Sequence, residues 1–296
     1  MSGLKTLRIR INSVKSTQKI TKAMKMVAAS KLRKAEERAE AARPYAERMD
    51  AMLKEVANSM AGRGEGPKTL VGTGSDKTHL LVVTTSDRGL CGAFNAGIVR
   101  ATKGRIGALQ EDGKTVKLFC LGRKSLDALR RDHEDLIIDR ETELDKGGFG
   151  FPKALDIAQR ITNFFEEGAF DVCSILYNHF KSVISQEVRV HQLVPFAAPS
   201  EPETDGSKPA AEAIYEFEPD EAEILDELVP RNLAVQIYHS LLESLASEQA
   251  ARMTAMDNAT RNAGEMIDDL TLLYNRTRQA AITKELIEIV SGAEAL

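Results

Sequence analysis

Apolar and small side chains recur every three or four positions at both ends of this 296-residue chain. At the start the frame runs Leu4, Leu7, Ile11, Val14, Gln18, Thr21, Lys25, Ala28, Leu32, Ala35, Ala39, Ala42, Ala46, Met49, Leu53, Val56 and Met60. At the end it runs Val235, Tyr238, Leu242, Leu245, Gln249, Arg252, Met256, Ala259, Ala263, Met266, Leu270, Leu273, Thr277 and Ala280, with Ile287 one heptad on. A 3-4 alternation held this long predicts a coiled-coil seam. As a helix the final stretch, Asp220 to Val290, would be about 100 Å long. Such a helix needs a partner, and the first helix supplies one. A kink is expected at Pro44, where the frame holds on both sides, and a bend or a separate short first segment at Pro230.

Between the ends the period changes. Short apolar runs at 79–85, 115–121, 135–139 and 171–177 alternate with helical stretches at 93–109, 123–131 and 152–167. Alternation of strand and helix predicts a parallel sheet covered on both faces. A last strand at 186–194 is expected antiparallel at an edge. The fold class is therefore α/β, a long antiparallel coiled coil of N- and C-terminal helices projecting from a central, Rossmann-like α/β domain. The boundaries are a first coiled-coil helix at 1–61, a Gly-rich polar linker or loop at 62–76, and the α/β domain at 77–198. A Pro-rich linker at 199–218 and the final helix at 219–296 complete the chain.

Composition narrows the function classes. Tryptophan is absent and aromatics make up 5% of the chain, which suits Ala-rich helices better than one thick core. The net charge of −4 conceals an uneven distribution. From Met1 to Lys34 there is no carboxylate, while Lys5, Arg8, Arg10, Lys15, Lys19, Lys22, Lys25, Lys31, Arg33 and Lys34 are basic. A solvated helix face normally mixes both signs, as 36–55 does, so an acidic partner surface is expected along this end. No apolar run reaches membrane-spanning length, and Arg8 and Arg10 interrupt any signal-peptide core. Cys91, Cys120 and Cys173 read as reduced cytoplasmic thiols. The five histidines have no metal-ligand spacing, so no metal or cofactor is expected.

The segment Thr84-Thr85-Ser86-Asp87-Arg88-Gly89-Leu90-Cys91-Gly92-Ala93-Phe94-Asn95 follows a strand and precedes a helix, where an α/β domain can bind phosphate. Its Gly-x-x-Gly spacing matches neither nucleotide-binding glycine pattern. A tight turn, with Asp87 and Arg88 paired or in an interface, explains it better than a nucleotide site or a catalytic Cys91. The basic N-terminal stretch could neutralise nucleic-acid phosphates, but it has no aromatics for base stacking before Tyr45. Small seam residues let the helices approach closely, and the polar seam residues Gln18, Lys25, Gln249 and Arg252 set register or face another protein. Past Tyr274 the last helix is apolar on more than one face, which suits insertion into an apolar sleeve.

Four stretches carry a resemblance: Thr17 to Lys31, Asp87 to Gly92, Ser247 to Met253, and Ala281 to Leu286 with Glu288 to Ala293. They closely resemble the gamma subunits of F-type ATP synthases, and the start at Met1 looks like a bacterial member. The resemblance implies a non-catalytic rotor shaft that couples proton-driven rotation of the c ring to sequential changes in three catalytic beta subunits. It implies one copy per complex, an alpha3-beta3 hexamer, an epsilon subunit and the c ring as partners, no nucleic acid, and a peripheral place on the cytoplasmic face of the bacterial plasma membrane. It further implies that Lys22, Met24, Lys25, Arg252, Arg278 and Gln279 contact beta. Leu286, Ile287, Ile289 and Val290 would turn in an apolar bearing, and Tyr215, Glu216, Phe217 and Glu218 would lie near epsilon and the c ring. A nucleotide-binding α/β protein and a nucleic-acid-binding coiled-coil arm are the alternatives.

Overall fold

The computed structural model describes residues 2–61, 67–144, 150–196 and 221–294, with side chains described at fewer positions within 43–61, 221–227 and 292–294. In chain order the elements are α1 (Ser2–Ala61), α2 (Lys68–Val71), β1 (Thr78–Thr84), α3 (Phe94–Glu111), β2 (Thr115–Leu121), α4 (Arg123–His133), β3 (Ile137–Glu141), α5 (Phe151–Glu166), β4 (Val172–Phe180), β5 (Gln186–Val194) and α6 (Glu221–Glu294). Two compact units divide the chain inside both long helices. One comprises residues up to 30 and from 252, the other residues 31–251.

The larger unit is built on a five-stranded sheet of order β3-β2-β1-β4-β5. β1 pairs in parallel with β2 and β4, β2 pairs in parallel with β3, and β5 closes one edge antiparallel to β4. This is the expected arrangement, and alternation along the strands explains it. Leu81, Val83, Leu118, Cys120 and Leu176 face α3 and α4, where Ile98, Ile106, Leu109 and Leu129 complete one core. Leu80, Val82, Phe119, Leu121, Ile175 and Tyr177 face the other way, onto α5 and the 233–242 turns of α6, with Ala39 and Ala42 of α1 packed alongside. Each fully buried Leu, Ile or Phe contributes about 1.5–3 kcal/mol of transfer free energy. Arg160 of α5 closes the far edge, with its guanidinium 4.7 Å above the Phe119 ring and ion-paired to Asp139 and Glu141.

Several expectations need correction. Residues 68–71 of the expected linker form α2, where buried Leu70 packs with Met49 and Val229 in a third small core. The expected strand at 135–139 starts later, because Glu134–Leu136 is a single 3-10 turn that continues α4. At Pro44 α1 is unbroken, as the frame on both sides of it led one to expect, and at Pro230 α6 is one helix, which excludes the separate first segment of the two alternatives. The buried residues on either side of Pro230, Val229 and Asn232 to Val235, hold its flanks in place.

Candidate partner-contact site

In the smaller unit the first helix frame is reproduced in the burial pattern. Leu4, Leu7, Ile11, Val14, Gln18, Thr21, Lys25 and Ala28 are each buried or half-buried, while most residues between them are exposed. α6 departs from expectation after Ala263: Ile267, Tyr274 and Ala281 are half-buried, whereas Met266 and Leu273 are about half exposed and Ala280 is exposed. The seam takes the i+4 residue where the sequence offers an apolar side chain at both i+3 and i+4. Met266, Leu273, Ala280 and Ile287 thereby become an outward stripe at heptad spacing.

Polar seam residues pair across the two helices and fix their register. Thr21 Oγ1 lies 2.7 Å from Thr260 Oγ1, Gln18 Nε2 donates to the Thr260 carbonyl at 3.4 Å, and Lys25 Nζ donates to Asp257 Oδ1 at 2.6 Å. The Lys25 ammonium, by hydrogen bond and charge, holds the Asp257 carboxyl below its ordinary range. Gly264 lies beside this set, where an added Cβ would sit 3.2 Å from Gln18 Nε2.

With Thr21 facing Thr260 and Lys25 facing Asp257, Ser2 is level with about residue 280 at equal rise per residue. The last stretch of α6 therefore runs on alone for roughly 20 Å. Its apolar residues Leu286, Ile287, Ile289 and Val290 are 57%, 60%, 68% and 55% exposed, an apolar surface the fold itself leaves uncovered. Arg278 and Gln279 are exposed just before it. On α1, Lys22 is exposed, Met24 half-buried, and Lys25 already engaged with Asp257, so its charge is partly spent inside the coiled coil. Arg252 is half-buried. Nine of the ten basic residues in the acid-free stretch, all but Lys25, are exposed. Residues 215–218 lie outside the described residues.

Residue-by-residue reading of the sequence missed Ile9, Ile20, Met26 and Val27, apolar side chains about 60% exposed on α1. Their signal was legible, since each falls outside the heptad frame.

The turn after β1 is a structural joint. Asp87 does not pair with Arg88; its carboxylate accepts from the Arg123 and Leu144 amides at 3.0 and 3.1 Å. Thr85 Oγ1 likewise accepts from the Ser125 amide at 2.7 Å, so the first turn of α4 is capped by side chains of this turn. Cys91 is buried beside Ser86 and Asn95, with Asn95 Nδ2 3.1 Å from its sulfur. Burial pushes the Cys120 thiol up to about 11 and that of Cys173 higher still, so neither is a ready nucleophile. Between β1 and β4, where the strand order reverses and an open α/β sheet takes its ligand, the space is taken by the chain itself. Asn178 Nδ2 donates to the Phe94 carbonyl and Ser247 Oγ of α6 to the Asn178 carbonyl, at 3.5 and 3.0 Å.

The smaller unit is thus a two-helix coil whose outer faces carry exposed apolar and basic residues, and the larger is an α/β sheet domain. A family model described as ATP synthase matches residues 3–296. The ATP synthase gamma chains of Paramagnetospirillum magneticum and Granulibacter bethesdensis are each 57% identical to this chain, with all of both chains covered. Among solved structures, a chain of the central stalk and c ring of Tetrahymena thermophila mitochondrial ATP synthase aligns with TM-score 0.63 and 31% identity, over 81% of this chain and 99% of that one. A rotor chain of Euglena gracilis mitochondrial ATP synthase shares the fold, with TM-score 0.65 and 20% identity over 95% and 99%. The chain belongs to the gamma-chain family of ATP synthase, the rotor subunits of the central stalk.

Proposed function

We propose that this chain works as the shaft itself, performing no chemistry and turning inside an alpha3-beta3 hexamer while its body sits on a c ring beside epsilon. The observation that carries the reading is the lone end of α6, where four large apolar residues stay more than half exposed on a helix that has run past its partner. Exposure on that scale costs free energy unless a sleeve covers it. A ring of apolar surfaces suits it, because dispersion and hydrophobic contact are non-directional and permit rotation.

Lower on the coil the contacts change character. Lys22, Met24, Arg252, Arg278 and Gln279, with one end of the Lys25 charge, would meet the moving regions of the beta subunits. Exposed ion pairs are individually worth about 0–1 kcal/mol and are screened by salt, so they position without locking. A shaft with different side chains on each face presents each beta subunit with a different contact free energy at a given angle. Only such a difference can select among its conformations. Among the described residues no helix is long and apolar enough to cross a membrane. The membrane would be met only through the c ring, on the cytoplasmic face, with Tyr215 to Glu218 on that side.

The test is affinity purification of the tagged chain from gently solubilised membranes, followed by native mass spectrometry. One copy with three each of two nucleotide-binding subunits is expected. A free chain, or a homodimer that binds ATP or RNA, would sink the reading.

A further inference from the structure

Asp257 of α6 is held from both helices of the smaller unit. Its Oδ1 accepts from Lys25 Nζ of α1 at 2.6 Å, and its Oδ2 lies 3.7 Å from the guanidinium of Arg261, one turn along its own helix. The side chains of Lys25 and Asp257 are 42% and 41% exposed, so water and salt screen the pair and it adds little to stability. Its place in the coil gives it a different use.

The seam here is made largely of small residues, with Ala28 of α1 and Ala263 of α6 both buried. Small knobs fit many holes, so such a seam opposes sliding and rotation weakly, and polar pairs supply the register instead. Three polar contacts stand within two turns of α1. Gln18 and Thr21 both end on Thr260, and Lys25 ends on Asp257. Lys22 and Met24 lie between Thr21 and Lys25, Lys22 exposed and Met24 half-buried. The stretch that presents them is therefore pinned at both ends. Without Asp257 it is pinned at one end only.

We propose that Asp257 is a positioning residue: by holding Lys25 across the seam it fixes the direction in which α1 presents Lys22 and Met24 to the partner subunits. What coupling requires of Lys25 is this internal pair. The inference rests on the shaft reading and narrows it at Lys25, whose ammonium serves the coil rather than the partner surface.

The test uses purified complexes reconstituted in lipid vesicles, with three quantities read together: assembly yield, ATP hydrolysis, and protons pumped per ATP hydrolysed. One exposed pair shifts a two-state register equilibrium by up to about five-fold, so Asp257→Asn should lower the pumping ratio by about two- to five-fold. Yield and hydrolysis should change by less than about two-fold, since a weak exposed pair contributes little to folding. Asp257→Glu keeps the charge and should keep the ratio. Lys25→Glu sets two carboxylates against each other and should lower it. Lys25→Glu with Asp257→Lys and Arg261→Glu reverses every sign, preserves both attractions and should restore it. A partner that needed the Lys25 cation would be served no better by this inversion than by Lys25→Glu alone, so equal loss in those two variants would overturn the proposal. An unchanged ratio in Asp257→Asn would also overturn it, as would yield, hydrolysis and pumping all falling in proportion, the mark of a merely structural role. A wild-type chain that forms no pumping complex would instead sink the shaft reading, and this inference with it.

Discussion

Thr21 and Thr260 meet hydroxyl to hydroxyl at 2.7 Å across the two helices, between the Gln18 and Lys25 contacts of the same seam. Thr260 Oγ1 also lies 2.7 Å from the Met256 carbonyl of its own helix, which can only accept. Thr21 Oγ1 in turn lies 3.0 Å from the Gln18 carbonyl, so one hydroxyl gives its proton to the other across the seam while the other keeps its bond within its own helix. Thr21→Val removes one member of the pair and leaves Thr260 able to donate to the Met256 carbonyl. The expected loss is therefore modest, about 0.5–1.5 kcal/mol. Thr21→Val with Thr260→Val should cost less than the sum of the two single changes. A double-mutant cycle by urea unfolding checks this, and strict additivity would mean the hydroxyl pair contributes nothing.

Gly122 is the tightest joint in the body. It holds φ +95°, and a Cβ placed on it would sit 2.1 Å from the Thr85 carbonyl oxygen. Strand β1 and the start of α4 approach there because Thr85 caps α4 through the Ser125 amide. Gly122→Ala must therefore move backbone against backbone in a conformation L residues rarely adopt. A loss of about 3 kcal/mol or more is expected, read as a fall in thermal midpoint of the purified chain or as insoluble expression.

Helix α1 was the most legible part of the sequence, because its seam competes with few other apolar positions. From Leu4 to Ala28 every frame residue is at least half-buried. α6 was less legible, since Met266 and Ile267, then Leu273 and Tyr274, offer two apolar faces, and only the position of α1 decides between them. α2 was hidden for another reason: a single buried Leu70 among Gly, Lys and Thr gives no periodicity, and its partners Met49 and Val229 lie far off in sequence. Asp87 shows the same limit. Its identity as a turn residue could be read locally, but its two amide partners belong to α4 and to the loop after β3.

Asp171 ties the loop before β1 to the start of β4. Its carboxylate accepts from the Thr78 amide at 2.9 Å, the Lys77 amide at 3.0 Å, Thr73 Oγ1 at 3.0 Å and Ser75 Oγ at 3.1 Å. The Thr78 amide bond, with the other three, holds the carboxyl below its ordinary value. A depressed carboxyl stabilises the fold above its unfolded-state pKa, near 3.9, and that stability is lost as pH falls through the lower folded value. Asp171→Asn should cost about 1 kcal/mol at neutral pH. It should also flatten the acid limb of stability below about pH 4. Urea midpoints of both proteins between neutral and acid pH provide the check, and parallel acid limbs would remove Asp171 from the account.

The end of α6 separates a structural role from a functional one. Leu286 and Ile289 are 57% and 68% exposed, so within the chain alone they bury little. Leu286→Asp with Ile289→Asp should leave the unfolding midpoint of the isolated chain nearly unchanged, because surface changes usually fall within about 0.5 kcal/mol. In an assembled complex the same pair would place two carboxylates against an apolar sleeve, where burying an unpaired charge is strongly unfavourable. Reconstituted complexes should therefore form in lower yield, or form and show weakened coupling of ATP hydrolysis to proton pumping. Leu286→Met with Ile289→Met keeps the apolar surface and should restore both. Normal assembly and coupling with the aspartates in place would show that this end meets water in the complex, and the apolar bearing would have to be given up.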